Sequence, residues 1–126
     1  MTQKNNTQPK IKTESIKTNE IKPKLKPKPK QINITPNTSD VQIEDSMHST
    51  REEVVEKSID SVKLVKDAGV ECMFSPMDAT RTDLTFLGEV VEAVTEVGAD
   101  WINIPDTCGV ATPTRFGDLI RFVKDD

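Results

Sequence analysis

The sequence predicts an α/β fold of three consecutive β-α units with parallel strands. Two observations carry this. Short β-branched runs alternate with longer stretches of helical period, in the order strand, helix, strand, helix, strand, helix. The connections are short, and Gly69 and Gly98 stand at equivalent places, each just past a helical stretch and before a strand. The pattern by itself does not separate an open sheet from an arc of a barrel.

The first strand is read at 32–36 (INITP), a β-branched run stopped by Pro36. The segment NTSDVQIEDSMHS follows and reads as a polar loop. A helix is predicted over 50–68. Thr50 or Ser49 caps it, Glu52 and Glu53 favour its amide end, and Val54, Val55, Ile59, Val62 and Val65 form its apolar stripe. Residues 70–74 (VECMF) read as a strand buried on both faces. After the loop SPMDATRTD, Thr82 or Asp83 caps a helix over about 84–97. Its core side carries Leu84, Leu87, Val90, Val91, Val94 and Val97. Residues 100–104 (DWINI) give the third strand. Thr112 caps the third helix, with Pro113 at its first position, where a missing amide costs nothing. Phe116, Leu119, Ile120 and Val123 line one of its faces.

Charge divides the chain. Residues 1–31 hold nine lysines and two glutamates, and residues 32–126 hold eight Lys/Arg against nineteen Asp/Glu, within an overall net charge of −4. In the first segment isoleucines recur at 11, 16 and 21, a period of neither helix nor strand, and Pro23, Pro27 and Pro29 oppose a helix. We expect a disordered, solubilising Lys/Pro-rich leader, with a polyanion- or membrane-binding arm as the alternative. No aromatic residue is interleaved among its lysines, so base stacking lacks support. The folding region is then 32–126, far short of the roughly 250 residues of a complete β/α barrel.

Cys72 and Cys108 form no Cys-x-x-Cys pair and are expected to be two buried, reduced thiols. No apolar run is long enough to span a membrane, and the N-terminus lacks the apolar core of a secretory signal. The expectation is a soluble, cytoplasmic protein without nucleic-acid or membrane partners.

Two motifs carry a resemblance. FSPMDATRTD (74–83) and NIPDTCGVATP (103–113), with LTFLGEVVEAVTEVGADWI between them, resemble signatures of the 2-isopropylmalate, citramalate and homocitrate synthase family. The upstream stretch TSDVQIEDSMHSTREEVVEKSIDSVKLVKDAGV resembles the region before the first signature. The resemblance covers about residues 32–126. It implies an incomplete (β/α)8 barrel, with these units roughly the third to fifth. It also implies a parent reaction that condenses acetyl-coenzyme A with a 2-oxo acid, using a divalent metal. The 2-isopropylmalate branch belongs to leucine biosynthesis.

Residue by residue, the resemblance keeps only part of a site. Ser75 and Thr107 match the family's hydroxyls that touch the 2-oxo acid. Met77 stands where the family usually has a catalytically important glutamate, and a thioether neither takes a proton nor orients a water as a carboxylate does. Gln42 stands where the family has a histidine. The family's metal ligands, an aspartate at the end of the first strand and a His-x-His near the sixth, match nothing in this sequence. Its only histidine, His48, reads as a surface or capping residue. Asp78 and Asp106 have structural roles available as turn or cap acceptors, with Arg81 a partner. No catalytic residue and no bound cofactor are therefore expected for the chain alone. Three readings stay open: a truncated or degenerate relative, a partner that docks on a full-length synthase or on itself, and a fragment of a longer enzyme.

Overall fold

The computed structural model describes residues 27–126. The expectation for the leader falls mostly on residues 1–26, outside the described residues. Strands β1 (Gln31–Ile34), β2 (Glu71–Phe74) and β3 (Trp101–Ile102) form one sheet in the order β1-β2-β3. Both pairings are parallel, with Ile32 opposite Cys72, Ile34 opposite Phe74, and Phe74 opposite Ile102. Helices α1 (Arg51–Asp67), α2 (Leu84–Glu96) and α3 (Pro113–Asp125) follow the three strands in turn. The arrangement is that of a partial (β/α)8 barrel.

Each helix starts on the residue type that its backbone needs. Thr50, Asp83 and Thr112 accept from the amides of Glu53, Phe86 and Arg115, which would otherwise go unpaired. Pro113 opens α3. α1 ends where Gly69, at φ +72°, reverses the chain, and its amide donates to Lys66 O. Lys28 reaches the same end and donates to Ala68 O at 3.0 Å, a cation placed at the negative pole of the helix.

The core lies between the helices and one face of the sheet. Val54, Val62, Cys72, Phe74, Val90 and Val94 are buried together. A second cluster joins Leu119 of α3 to Ala79, Leu87 and Ile104. The other face of the sheet is polar and open. Gln31, Asn33, Glu71, Trp101 and Asn103 are exposed there, with Trp101 at 56%. The Gln31 amide and the Trp101 indole N–H both donate to the Glu71 carboxylate, so one polar row crosses all three strands.

Several expectations are corrected by packing. Residues 37–49 are not an irregular polar loop. They contain a π-helical turn at Gln42–Ser46 that inserts Ile43 into the core. One apolar residue in a polar stretch is too weak a signal for that. β2 is buried on the helix side only, through Cys72 and Phe74, because Glu71 and Met73 face the open side. Leu84 is exposed, and Phe86 takes the buried place instead, since the Asp83 cap turns the first helical residue outward. On α3, Leu119 is buried while Ile120 lies a step round the helix and is exposed. Cys108 is exposed and only Cys72 is buried. β3 is regular for two residues, yet Asp100 N and Asn103 N still donate to Cys72 O and Phe74 O on either side of it.

Candidate functional site

The segments after the three strands are stitched together at one end of the sheet. Met77 N donates to Pro36 O at 2.8 Å, and Thr38 N donates to Met77 O at 3.1 Å, extending the β1–β2 pairing beyond the strands. The Thr38 hydroxyl also donates to Met77 O, at 3.0 Å. This join uses only the backbone of Met77, so it does not depend on the thioether side chain.

Asp78 is the hub. It is a non-glycine residue at φ +63°, a left-handed conformation that aspartate tolerates better than most, and it is 1% exposed. Its carboxylate accepts from Ser39 Oγ at 2.6 Å, and from Arg81 Nε at 2.9 Å and Nη2 at 2.6 Å. The Arg81 guanidinium, more than the Ser39 hydroxyl, holds the carboxyl below its ordinary pKa against the opposing effect of burial. Its backbone amide donates to Thr107 Oγ1 at 2.8 Å. One residue thus joins the segments after β1, β2 and β3.

Asp106 has a parallel role, holding its own loop and tying it to the segment after β2. Its carboxylate accepts from Thr80 Oγ1 at 2.7 Å and from the amides of Ala111 and Val110 at 3.1 and 3.2 Å. These bonds, the Thr80 hydroxyl first, hold its pKa low. Both aspartates therefore satisfy turns and neighbours.

Ser75 sits in a separate network. Its hydroxyl donates to Asn33 Oδ1 at 2.8 Å and accepts from Asn103 Nδ2 at 3.1 Å. An amide, a hydroxyl and an amide thus form a row from β1 across the residues just after β2 and β3, with Ser75 buried at its centre. Asn33 and Asn103 were not singled out from the sequence. The only signal for them is alternation: each sits on the polar phase of its strand, and nothing local reveals that their partner is Ser75. Ser39 and Thr80 were missed for the same reason.

Gln42 lies in the π-helical turn, where its side-chain oxygen accepts from Ser46 Oγ at 3.2 Å. His48 is exposed at φ +48°, a turn position near the start of α1. No group of three or more His, Cys, Asp or Glu side chains is placed to hold a metal among the described residues. Asp78 is ion-paired to Arg81, and Asp106 accepts three hydrogen bonds within the loops without a second metal-ligating side chain grouped with it among the described residues, so these two carboxylates do not make up the ligand set of the divalent metal that the resemblance implies.

The geometry defines a class: β-α units of a parallel barrel, with their polar network on the segments that follow the strands. The chain belongs to the HMGL-like family, whose profile matches residues 3–126. Among curated relatives, a probable 2-isopropylmalate synthase of Archaeoglobus fulgidus is 46% identical over 88 residues, covering 70% of this chain and 18% of that protein. A probable 2-isopropylmalate synthase of Methanosarcina mazei is 52% identical over 84 residues, covering 67% of this chain and 16% of the relative. The 2-isopropylmalate synthase of Clostridium kluyveri is 43% identical over 106 residues, covering 84% and 20%. The chain spans about a fifth of the length of these relatives or less.

Proposed function

We propose that this chain represents three central β-α units of a 2-isopropylmalate synthase-type barrel, and that by itself it does not catalyse. The parent reaction is the condensation of acetyl-coenzyme A with a 2-oxo acid. The observation that carries the reading is the occupation of the site's carboxylates. Asp78 is taken by Arg81 and Ser39, and Asp106 by Thr80 and two amides. Asp78 is neutralised by its guanidinium partner, Asp106 is engaged in holding its loop, and Met77 offers no carboxylate beside them.

What the chain's own residues can do is bind. Thr107 accepts from the Asp78 amide and keeps its own O–H to donate to a ligand oxygen. The Ser75 hydroxyl donates to Asn33 and accepts from Asn103, so it leaves one lone pair as an acceptor, and the donors beside it are the amide N–H groups of Asn33 and Asn103. Such contacts place a substrate without polarising its carbonyl. Condensation needs both placement and charge stabilisation.

The test is release of coenzyme A from acetyl-coenzyme A, with a divalent metal and each of several 2-oxo acids. We expect no release above background from the chain or from Met77→Glu. Chelator-sensitive turnover by the chain alone would overturn the reading.

A second reading, a split-enzyme or structural subunit that docks on a full-length synthase, is favoured by the open polar face of the sheet. A cytoplasmic location belongs to the same proposal. So does a division at residue 31 into a Lys/Pro-rich leader and a barrel-domain fragment. Limited trypsin digestion should trim the first and spare the second, and an equally resistant leader would argue for a single unit.

A further inference from the structure

A cavity of about 190 Å³ opens between α3, the turn at Ala79–Arg81 and the start of α2. None of Asn33, Ser75, Asn103 or Thr107 lines it. Its walls come from the segments after β2 and β3 and the helices that follow them, so the described residues build it by themselves. Ala79, Leu84, Leu119 and Phe122 make its apolar lining. Thr80 and Thr82 add little polarity. The Thr80 hydroxyl donates to Asp106 Oδ1 at 2.7 Å, and the Thr82 hydroxyl donates to Asp78 O at 2.9 Å.

Arg115 is the cation that lines this cavity. The chain has four arginines. Arg51, Arg81 and Arg121 pair with Asp40, Asp78 and Asp118. Among the described residues Arg115 has no such partner, although Asp118 follows it on the same face of α3 and also lines the cavity. The Asp118 carboxylate goes to Arg121 instead, at 2.8 Å. Arg115 is exposed, so it stands where the cavity opens to solvent.

We infer that this cavity binds a short aliphatic monocarboxylate, with the carboxylate on Arg115 and the chain against Leu84, Leu119 and Phe122. A planar guanidinium presents parallel N–H donors that match a carboxylate. The charge orients the ligand and the apolar lining buries its chain. Size limits that chain. At roughly 30 Å³ of liquid per water the cavity replaces about six waters, room for a carboxylate with a chain of about four or five carbons. The lining also sets the charge. A second carboxylate at the far end would be buried without a partner, and Asp118 would repel it, so a dicarboxylate of equal length is disfavoured. The site stands apart from the proposed function, because no residue which that reading uses to place a substrate contributes to it.

The test titrates the whole chain, carrying isotope-labelled alanine and leucine methyls, with pentanoate, glutarate and pentanol. Pentanoate should shift the methyl resonances of Ala79, Leu84 and Leu119 saturably at millimolar concentration. Glutarate should bind at least about fivefold more weakly because of its second charge, and pentanol likewise because it lacks the first. Arg115→Gln, with helix content confirmed by circular dichroism, should weaken pentanoate about tenfold. Arg115→Lys, which keeps the charge and loses the fork, should weaken it less. The absence of saturable shifts at these methyls would overturn the inference, as would equal affinity in Arg115→Gln. Equal binding of pentanol or glutarate would overturn it too, leaving an apolar cleft without the anion selectivity argued from Arg115 and Asp118.

Discussion

The backbone amide of Asp78 donates to the hydroxyl of Thr107 at 2.8 Å, fastening the segment after β2 to the segment after β3. Thr107→Val keeps the shape of the side chain and deletes the acceptor, so it should lower stability by about 1 kcal/mol. Thr107→Ser should retain most of it. Asp78→Ala strips bonds from Ser39 and Arg81 as well, and should cost about 2–3 kcal/mol. The partly solvent-facing Arg81 keeps that loss below the figure for a fully buried pair. Urea midpoints rank the three variants. A Val variant as stable as the parent would remove any structural value from the Asp78–Thr107 bond.

Acid should unfold the chain through its aspartates. Asp78 is held below its ordinary pKa by Arg81, Asp40 by Arg51, Asp100 by the Cys72 amide and Lys66, and Asp106 by Thr80. A carboxyl whose folded pKa is depressed contributes stability at pH above its unfolded value of about 4, and loses that contribution as the pH falls toward the folded value. The urea midpoint should therefore be level from pH 7 to about pH 5 and fall below about pH 4. Asp78→Asn should be less stable at neutral pH and show a shallower fall. A parallel profile for that variant would exclude Asp78 from the acid response.

The two thiols should react at different rates. Cys108 is exposed, whereas Cys72 is buried on β2 and burial raises its pKa. Mass spectrometry after brief treatment with a maleimide should find label on Cys108 alone, and on both residues after urea. Rapid labelling of Cys72 in the native chain would contradict the packing of β2 against α1 and α2.

Phe74 is fully buried in the central strand, while Leu64 of α1 is 73% exposed. Phe74→Ala should cost about 3–5 kcal/mol and abolish the cooperative thermal transition of so small a domain. Leu64→Ala should change stability by no more than about 0.5 kcal/mol. Comparable losses in the two variants, measured by circular dichroism on heating, would mean that the helices do not cover the sheet as described.

The order and type of the elements were determined by the sequence itself, because each rests on local rules. Thr50, Asp83 and Thr112 cap their own helices, Gly69 stops α1, and the 3.6-residue and two-residue periods are written into adjacent positions. The paired motifs at 74–83 and 103–113 likewise make the family legible in the sequence. Tertiary structure decided what depends on distant partners. Ile43 enters the core from a polar stretch, Phe86 rather than Leu84 is buried, and Ser75 lies between Asn33 and Asn103, which are 42 residues before it and 28 after it. It also decided that Asp78 and Asp106 serve as acceptors in the loops. A carboxylate's role follows from which donors reach it, and here Ser39 and Thr80 arrive from 39 and 26 residues away. No local period records such an encounter, because the parallel sheet creates it by bringing successive strand ends side by side.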